Sequence, residues 1–363
     1  MLQDPGMSVH PGEHRRRLRG TVIFGAALAL PVLGATPGLM ETLRAETQRN
    51  RVSLEAIPAS PLVDGERPRL KGLLDDIDSL LEARRMATAI ETLSSAAPGI
   101  AALARAGAGW DDTGKGPGKR IDALAKEWKE AGRALDAGRK GFPAMMPAGQ
   151  TAFTRALAEQ AIGQIDEHYA VAVDYGRFSG VSSGAYYLGR AEGQLAVALF
   201  LSRLTSDSTR RVVPIPGLAG PVARVENDIV DAYARPGSTA QHTNFIVANS
   251  SLKLAKELDL HGLRLGSLAT LLRSLLYLSL ATLPVPAADQ DLALAAMAEE
   301  IEKRFAASKR DDSIGEALLE KARIAMDKSR AGGEGADRER LRAAALVSVV
   351  IPRYIEIMEG FDK

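Results

Sequence analysis

The stretch RLKGLLDDIDSLLEARR, residues Arg69 to Arg85, carries the clearest structural pattern in the chain. Its leucines and its isoleucine recur at intervals of three and four residues, and charged side chains fill the positions between them. That period places the apolar side chains on one face of a helix and the charged side chains on the opposite face. The stretch therefore predicts an amphipathic α-helix whose apolar face packs against a neighbour.

Comparable helical patterns recur from Leu39 to the C-terminus, separated by short breaks rich in Pro and Gly. They predict about a dozen helices, without a series of alternating strands. Short connections make consecutive helices antiparallel, so we expect an all-α protein built as an irregular, bundle-like stack of helical hairpins. Two β-like runs, Tyr169–Val173 and Leu346–Ile351, are interpreted as helix interiors because helical periodicity surrounds them.

Proline and glycine clusters set the expected ends of the amphipathic helix. Asp64-Gly65 and Pro68 come directly before it, so the helix is expected to begin at Arg69. Pro98-Gly99 is expected to end it at about Ala97, because proline lacks the N–H that would continue the helix.

Composition shifts along the chain suggest how it is divided. The stretch after Leu204 is rich in proline and glycine and separates two groups of helices. The two groups form separate helical domains or pack as one unit. The predicted segments are a cleaved signal peptide (1–35), an extension with a short helix (36–66), an N-terminal helical domain (67–204), a linker (205–221) and a C-terminal helical domain (222–363).

Two fragments resemble the tetratricopeptide class of helical repeat. AIETL, residues Ala89 to Leu93, is similar to the second helix of such a unit. AYYLGRAEG, residues Ala185 to Gly193, carries a Leu-Gly pair like that of the first helix. The resemblance implies stacked antiparallel hairpins, although no fixed period recurs along the chain.

The N-terminal segment has the layout of a secretory signal peptide. HRRRLRG, His14 to Gly20, is a compact basic cluster, and TVIFGAALALPVLG, Thr21 to Gly34, follows it without a charge. This apolar run is shorter than the roughly 20 residues that a membrane-spanning helix needs. We expect cleavage after the small residue Ala35, a periplasmic or secreted protein, and no stable membrane span after cleavage. Retention as an uncleaved anchor is the alternative.

Charge and residue content exclude several classes of function. The chain has 46 Lys and Arg against 45 Asp and Glu, a net charge of +1, so it lacks the basic excess of a nucleic-acid-binding protein. It has no cysteine, which excludes disulfides, thiolate nucleophiles and Cys-ligated zinc. The Glu-x-x-His pairs of di-iron bundles are missing too. We therefore expect no metal and no cofactor, and we interpret His168 as a residue that hydrogen-bonds within the helices.

The window from Asp166 to Leu204 is the richest in side chains that bind partners or ligands. Gly180 and Gly184, like Gly189 and Gly193, are four residues apart, a spacing that lets another helix approach closely. Helix packing is the first interpretation of these glycines. A cleft is the sharper hypothesis, because tyrosine and arginine often anchor partners and small ligands. Its candidate residues are Asp174, Tyr175, Arg177, Tyr186, Tyr187, Arg190 and Glu192.

The same window contains Gly180-Val181-Ser182-Ser183-Gly184, which matches G-x-S-x-G. In α/β-hydrolases this motif is a turn between a strand and a helix that presents the serine as nucleophile. Ser182 would be that nucleophile, with His242 or His261 as its base. Because the fold needs several parallel strands and the sequence supplies at best one, we interpret the match as chance.

Leu263–Leu283 is rich in leucine and carries no charged residue except Arg264 and Arg273. Its length would span a bilayer, but Arg273 lies in its middle, where a charge is expensive. We expect a central core helix instead.

The leading functional hypothesis is a non-enzymatic scaffold or adaptor that binds a protein partner in the cell envelope. Stacked helical hairpins offer long surfaces, and no catalytic set of residues is complete. A small-ligand-binding protein that uses a cleft around residues 174–192 is the alternative, and a serine hydrolase acting through Ser182 is the second alternative.

Overall fold

The computed structural model of the chain describes residues 37–107, 117–178, 181–207, 209–233 and 238–361. The predicted signal peptide and its cleavage position after Ala35 lie outside these residues.

The described residues form helices and no β-strand, which confirms the predicted all-α stack. In chain order the helices are α1 (Pro37–Ala56), α2 (Pro61–Glu82), α3 (Met86–Gly107), α4 (Pro117–Lys140), α5 (Ala152–Phe178), α6 (Val181–Leu201), α7 (Ala219–Ala232), α8 (Thr239–Leu260), α9 (Arg264–Thr282), α10 (Asp291–Ala307), α11 (Ser313–Ala331), α12 (Ala336–Ala345) and α13 (Ile351–Phe361).

Irregular pieces accompany the C-terminal helices. A 3₁₀ turn, Ala288–Gln290, precedes α10, and a π-helical segment, Leu346–Val350, joins α12 and α13 into one continuous helix. The β-branched run is therefore helical, as expected, but it takes the wider π geometry. Outside the helices, Arg211 and Arg310 form an isolated parallel bridge.

Helix α2 begins earlier than the sequence predicts. Ser60 caps it, since the Ser60 Oγ accepts a hydrogen bond from the Val63 N–H at 3.3 Å. Val63 is fully buried and lies seven residues before Leu70, so the apolar face of the helix already starts there. The expected start at Arg69 is therefore wrong, and Pro68 lies inside the helix.

The helix expected to reach Ala97 is two helices. α2 ends at Glu82 and α3 begins at Met86. Between them the chain turns at Arg84, which has a left-handed φ of 56°. The Arg85 N–H closes the turn by donating to the Leu80 carbonyl at 2.7 Å.

Helix α3 continues through the Pro98-Gly99 pair that predicts a break. Both residues are buried in the middle of the helix. Gly99 faces Leu70 of α2, and Pro98 lies against Gly193 of α6. A proline in a helix interior costs about 3 kcal/mol, and packing on both sides of α3 offsets that local penalty. The predicted break is therefore wrong.

Helix α5 lies at the centre of the stack, between α6 and α9. α9 also packs against α8, and most of its side chains are buried. Within the described ranges α9 alone is long and apolar enough to cross a membrane, and 67% of its most apolar window is buried inside the structure. α9 therefore occupies the core position that its composition predicts.

Hydrogen bonds connect helices that precede residues 205–221 to helices that follow them. At the start of α5, the Ala152 N–H donates to the Asp311 Oδ2 at 2.8 Å, and the Phe153 N–H donates to the Ser313 Oγ at 2.9 Å. Asp311 and Ser313 are both buried. The first turn of the central helix is thus capped by side chains that come much later in the chain.

Candidate functional site

The α5–α6 hairpin brings part of the predicted cleft together along one line. On α5 the residues involved are four and seven positions apart, and on α6 they are three and four apart, so each set shares one helix face. We call this line the seam. It consists of Gln164, His168 and Tyr175 of α5 and of Tyr187, Arg190 and Gln194 of α6.

Both ends of the seam are closed by direct contacts. The Gln194 Nε2 donates to the Gln164 Oε1 at 2.8 Å. The rings of Tyr175 and Tyr187 are stacked, with centroids 5.1 Å apart and an interplanar angle of 27°. Tyr186 lies edge-on to Tyr187, with ring centroids 5.5 Å apart. Three of the predicted cleft residues therefore form one aromatic cluster.

The middle of the seam holds polar atoms without partners. The Arg190 side chain is half-buried and forms no hydrogen bond or ion pair with any described residue, and its Nε is inaccessible to water. The His168 Nε2 is likewise buried without a hydrogen-bond partner, contrary to the expectation that His168 bonds within the helices. Burial, and then the neighbouring Arg190 charge, lower the pKa of His168 to about 4. The imidazole is therefore neutral at neutral pH.

The remaining predicted cleft residues lie elsewhere. Glu192 faces α3, where its carboxylate is 3.8 Å from the Arg105 guanidinium, and Arg105 pairs more closely with Glu127 at 2.6 Å. Burial raises the pKa of Glu192, and Glu127 adds to the increase while Arg105 opposes it. Asp174 is exposed, and the side chain of Arg177 lies outside the described residues. The predicted cleft is thus divided between two faces of α6.

Two glycines of α6 lie directly against the α3 backbone. A Cβ on Gly189 would be 2.6 Å from the Ala101 carbonyl oxygen, and a Cβ on Gly193 would be 2.7 Å from the Pro98 Cα. Any larger side chain at either position therefore pushes α6 away from α3.

Gly184 lies at another contact of α6. A Cβ on it would be 2.7 Å from the Trp128 ring of α4 and 2.9 Å from the Gly176 Cα of α5. Gly180 lies outside the described residues.

Ser182 lies in the first turn of α6, and a helix, α5, precedes it. The nucleophile turn of an α/β-hydrolase needs a strand at that place. His242 and His261 are exposed on or next to α8. No observation favours the serine-hydrolase hypothesis.

A groove of about 990 Å³ runs between α7, α10 and α13. A second depression of about 610 Å³ continues it, and Arg304 and Glu359 line both. Val225, Ile355 and Ile357 supply an apolar floor. We call the two depressions together the C-terminal groove. The sequence alone does not reveal this groove, because its lining residues come from three helices and from the segments before α7 and α11.

Some charged side chains of the C-terminal groove neutralise one another. The Arg224 Nη1 lies 2.6 Å from the Glu356 Oε1, and Arg304 pairs with Glu359. These pairs are about half exposed, so each contributes little to stability.

Other charges along the C-terminal groove have no partner. Lys303, Lys309 and Arg211 are exposed and form no ion pair within the part of the chain that the structure describes, and the same holds for Glu300. The unpaired charge of the groove is therefore positive.

A buried acidic cluster lies beside the groove, and the sequence analysis missed it. Asp311, Asp312 and Glu316 are almost fully buried at the start of α11. The Asp312 Oδ1 accepts hydrogen bonds from Arg310 at 2.7 Å and from the Tyr354 hydroxyl at 3.0 Å. Acidic residues directly before a helix are a helix-start signal that could have drawn attention to this segment.

Glu316 belongs to this acidic cluster, and its surroundings change its pKa. Burial raises the pKa of Glu316 to about 7, against the opposing effect of Arg210, and Asp311 and Asp312 raise it further. The Arg210 Nη1 lies 2.5 Å from the Glu316 carboxylate. Through this ion pair the acidic cluster connects α11 to the segment before α7.

The contribution of Glu316 to the free energy of unfolding is expected to fall as pH rises from 4.5 to about 7, because folded Glu316 still binds its proton while the unfolded chain has lost it. Glu316→Gln carries no titrating proton and should reduce this fall by about 1–3 kcal/mol. Urea denaturation at several pH values measures the effect. A Glu316→Gln curve parallel to that of the parent would show that Glu316 titrates normally.

Within the described ranges no group of three or more His, Asp or Glu side chains is placed to hold a metal ion. Comparison with known proteins adds no analogy: no protein-family model, no curated protein and no solved structure matches the chain. Its function is therefore inferred from its own geometry.

Proposed function

We propose that the protein is a non-enzymatic helical adaptor of the cell envelope that docks an acidic amphipathic helix of a partner protein in the C-terminal groove. The observation that carries this proposal is the set of unpaired cations beside an apolar floor. Grooves of this kind take the apolar face of a helix, with side chains at i, i+3, i+4 and i+7 as anchors.

The apolar part of the C-terminal groove supports a helical occupant. Ile355 and Ile357 of α13 and Val225 of α7 form its base, and Ile301 and Phe361 are half-buried at its sides. Val225, Ile355 and Ile357 are already almost fully buried. A partner helix would therefore remove from water mainly the part of Ile301 and Phe361 that is still exposed.

The charge of the C-terminal groove supports an acidic occupant. Lys303, Lys309 and Arg211 lack carboxylate partners among the described residues, whereas a single groove carboxylate, Glu300, is unpaired there. Charges at the rim of an interface act mainly on partner choice and on the rate of association. Glutamate or aspartate on the polar face of the partner would provide the missing counter-charges.

The cellular location and the repeat-like character of the protein are part of the same proposal. Export of the protein is inferred from the basic segment and the apolar segment that precede Ala35. AIETL lies in the second helix of the α2–α3 hairpin, and AYYLGRAEG lies in α6, the second helix of the α5–α6 hairpin. The resemblance to tetratricopeptide repeats implies that AYYLGRAEG lies in the first helix of its hairpin, whereas it lies in the second. Any such repeat would therefore be irregular.

The test starts with protein purified from an envelope fraction, whose N-terminal sequence is expected to begin at Thr36. It should bind a synthetic amphipathic helix with leucines on one face and glutamates on the other, measured by fluorescence anisotropy. Lys303→Glu/Lys309→Glu should weaken this binding at least tenfold, because it replaces attraction with repulsion at the groove.

The control variant Lys71→Glu/Lys253→Glu makes the same change of net charge at exposed positions of α2 and α8 and should bind like the parent. A peptide with the same leucines and lysines in place of glutamates should not bind. The adaptor proposal is wrong if both peptides bind equally or if the two double variants behave alike.

A further inference from the structure

We propose that the seam between α5 and α6 is a second, separate binding site, for a small planar molecule that carries a carboxylate or phosphate. Arg190 and His168 would hold the anionic group, and Tyr175 would contact the planar part. This site goes beyond the adaptor function and does not depend on it.

The Arg190 guanidinium is isolated from acceptors among the described residues. Other half-buried arginines in the described chain have acceptors: Arg51 lies 2.8 Å from Asp78, Arg105 lies 2.6 Å from Glu127, and Arg67 donates to the Ile57 carbonyl. The Arg190 side chain has neither a carboxylate nor a carbonyl acceptor within the same ranges. A buried donor without an acceptor lowers stability by about 1–3 kcal/mol, so an anion at this place would satisfy an unmet requirement.

The group beside Arg190, the imidazole of His168, has chemistry that suits an anion. The imidazole of His168 is neutral, so it does not repel the guanidinium, and its Nε2 is buried without a partner. A neutral imidazole can donate one N–H to an anion, and a guanidinium offers a fork of donors that matches carboxylate or phosphate oxygens. The pair therefore offers neighbouring donors with a single net positive charge.

An aromatic surface that is partly exposed lies next to these donors. Tyr175 is 40% exposed although it stacks on Tyr187, so part of its ring remains accessible. Tyr187 and Arg190 are three residues apart on α6, about 4.5 Å along the helix axis. A molecule with a ring and an acidic group can therefore reach the tyrosine and the arginine at the same time.

Glu192 does not compete for this place. It belongs to the opposite side of α6, where Arg105 and Glu127 provide its electrostatic surroundings. The acidic residues of α5 nearest to His168 in sequence, Asp166 and Glu167, are exposed. Among the residues that the structure describes, no carboxylate thus neutralises the Arg190 guanidinium.

The experiment titrates the full mature chain with benzoate, phenyl phosphate and inorganic phosphate, by calorimetry and by NMR of the His168 ring. Benzoate or phenyl phosphate should bind and shift the His168 signals, and their relative affinities distinguish a carboxylate from a phosphate ligand. Arg190→Gln should weaken binding at least tenfold. Arg203→Gln, which removes an exposed arginine just after α6, should leave it unchanged.

A second variant separates the two halves of the proposal. Tyr175→Ala should weaken benzoate and phenyl phosphate and leave inorganic phosphate unaffected, and circular dichroism should show that both seam variants remain folded. The proposal is overturned if none of the probes binds at millimolar concentration or if Arg190→Gln binds like the parent. Equal loss of all probes in Tyr175→Ala would contradict the role of the ring.

Discussion

Glu159→Ala is expected to lower the free energy of unfolding by about 3–5 kcal/mol. Glu159 and Arg155 lie one turn apart on α5, are each 5% exposed, and are joined by an Nε–Oε1 contact of 2.7 Å. The second oxygen, Oε2, accepts the Gly266 N–H of α9 at 2.8 Å. Truncation at Glu159 therefore leaves a buried guanidinium without a counter-charge and a buried N–H without an acceptor.

Chemical denaturation of two further variants provides the comparison: their free energies of unfolding are measured beside that of Glu159→Ala. Arg155→Met/Glu159→Gln removes both charges and keeps an oxygen for the Gly266 N–H, so it should recover most of the lost stability. Glu226→Ala breaks an exposed ion pair with Lys256, of 2.6 Å, and should cost less than about 1 kcal/mol. A Glu159→Ala protein as stable as Glu226→Ala would refute the importance of the buried pair.

Gly189→Leu is the second change with a large expected effect, a loss of about 3 kcal/mol. Even the first carbon of the new side chain would lie 2.6 Å from the Ala101 carbonyl oxygen and 2.9 Å from the Ala102 Cα. These are backbone atoms of α3, so they can move only if the whole helix moves. The leucine must therefore separate α6 from α3.

Gly72→Leu is the matched control, because Gly72 also lies inside a helix but has no atom within 4 Å of the position of a Cβ. It should raise stability by about 0.5–1 kcal/mol, since leucine favours a helix more than glycine does. Urea denaturation of both variants measures the difference. Changes of the same sign would mean that α3 and α6 are not in close contact at Gly189.

The sequence predicts the elements of the fold better than it predicts their ends. The apolar period that begins at Arg69 identifies a helix because an exposed apolar face must be covered. It cannot show that Val63 extends that face, since this depends on which neighbour covers it. Pro98 is a similar case: its local preference for a break is outweighed by contacts with Leu70 and Gly193, residues that belong to other helices.

The candidate sites show the same limit. Tyr175, Tyr187 and Arg190 are recognisable from residue type, because tyrosine and arginine are common binding residues. His168 joins them only through the antiparallel pairing of α5 with α6, which composition does not reveal. Glu192 is recognisable from residue type too, but it lies apart from this group because it faces Arg105 of α3. Residue type thus suggests chemistry, and only the pairing of helices decides which groups meet.

The capping of α5 by Asp311 and Ser313 has a consequence for the time course of synthesis. The bonded residues are 159 and 160 positions apart. A ribosome adds about 5–20 residues per second, so roughly 10–30 s separate the emergence of the start of α5 from that of its partners. During that interval the central helix lacks the side chains that complete its first turn. The first turn of α5 can therefore be capped in this way only after translation has passed Ser313.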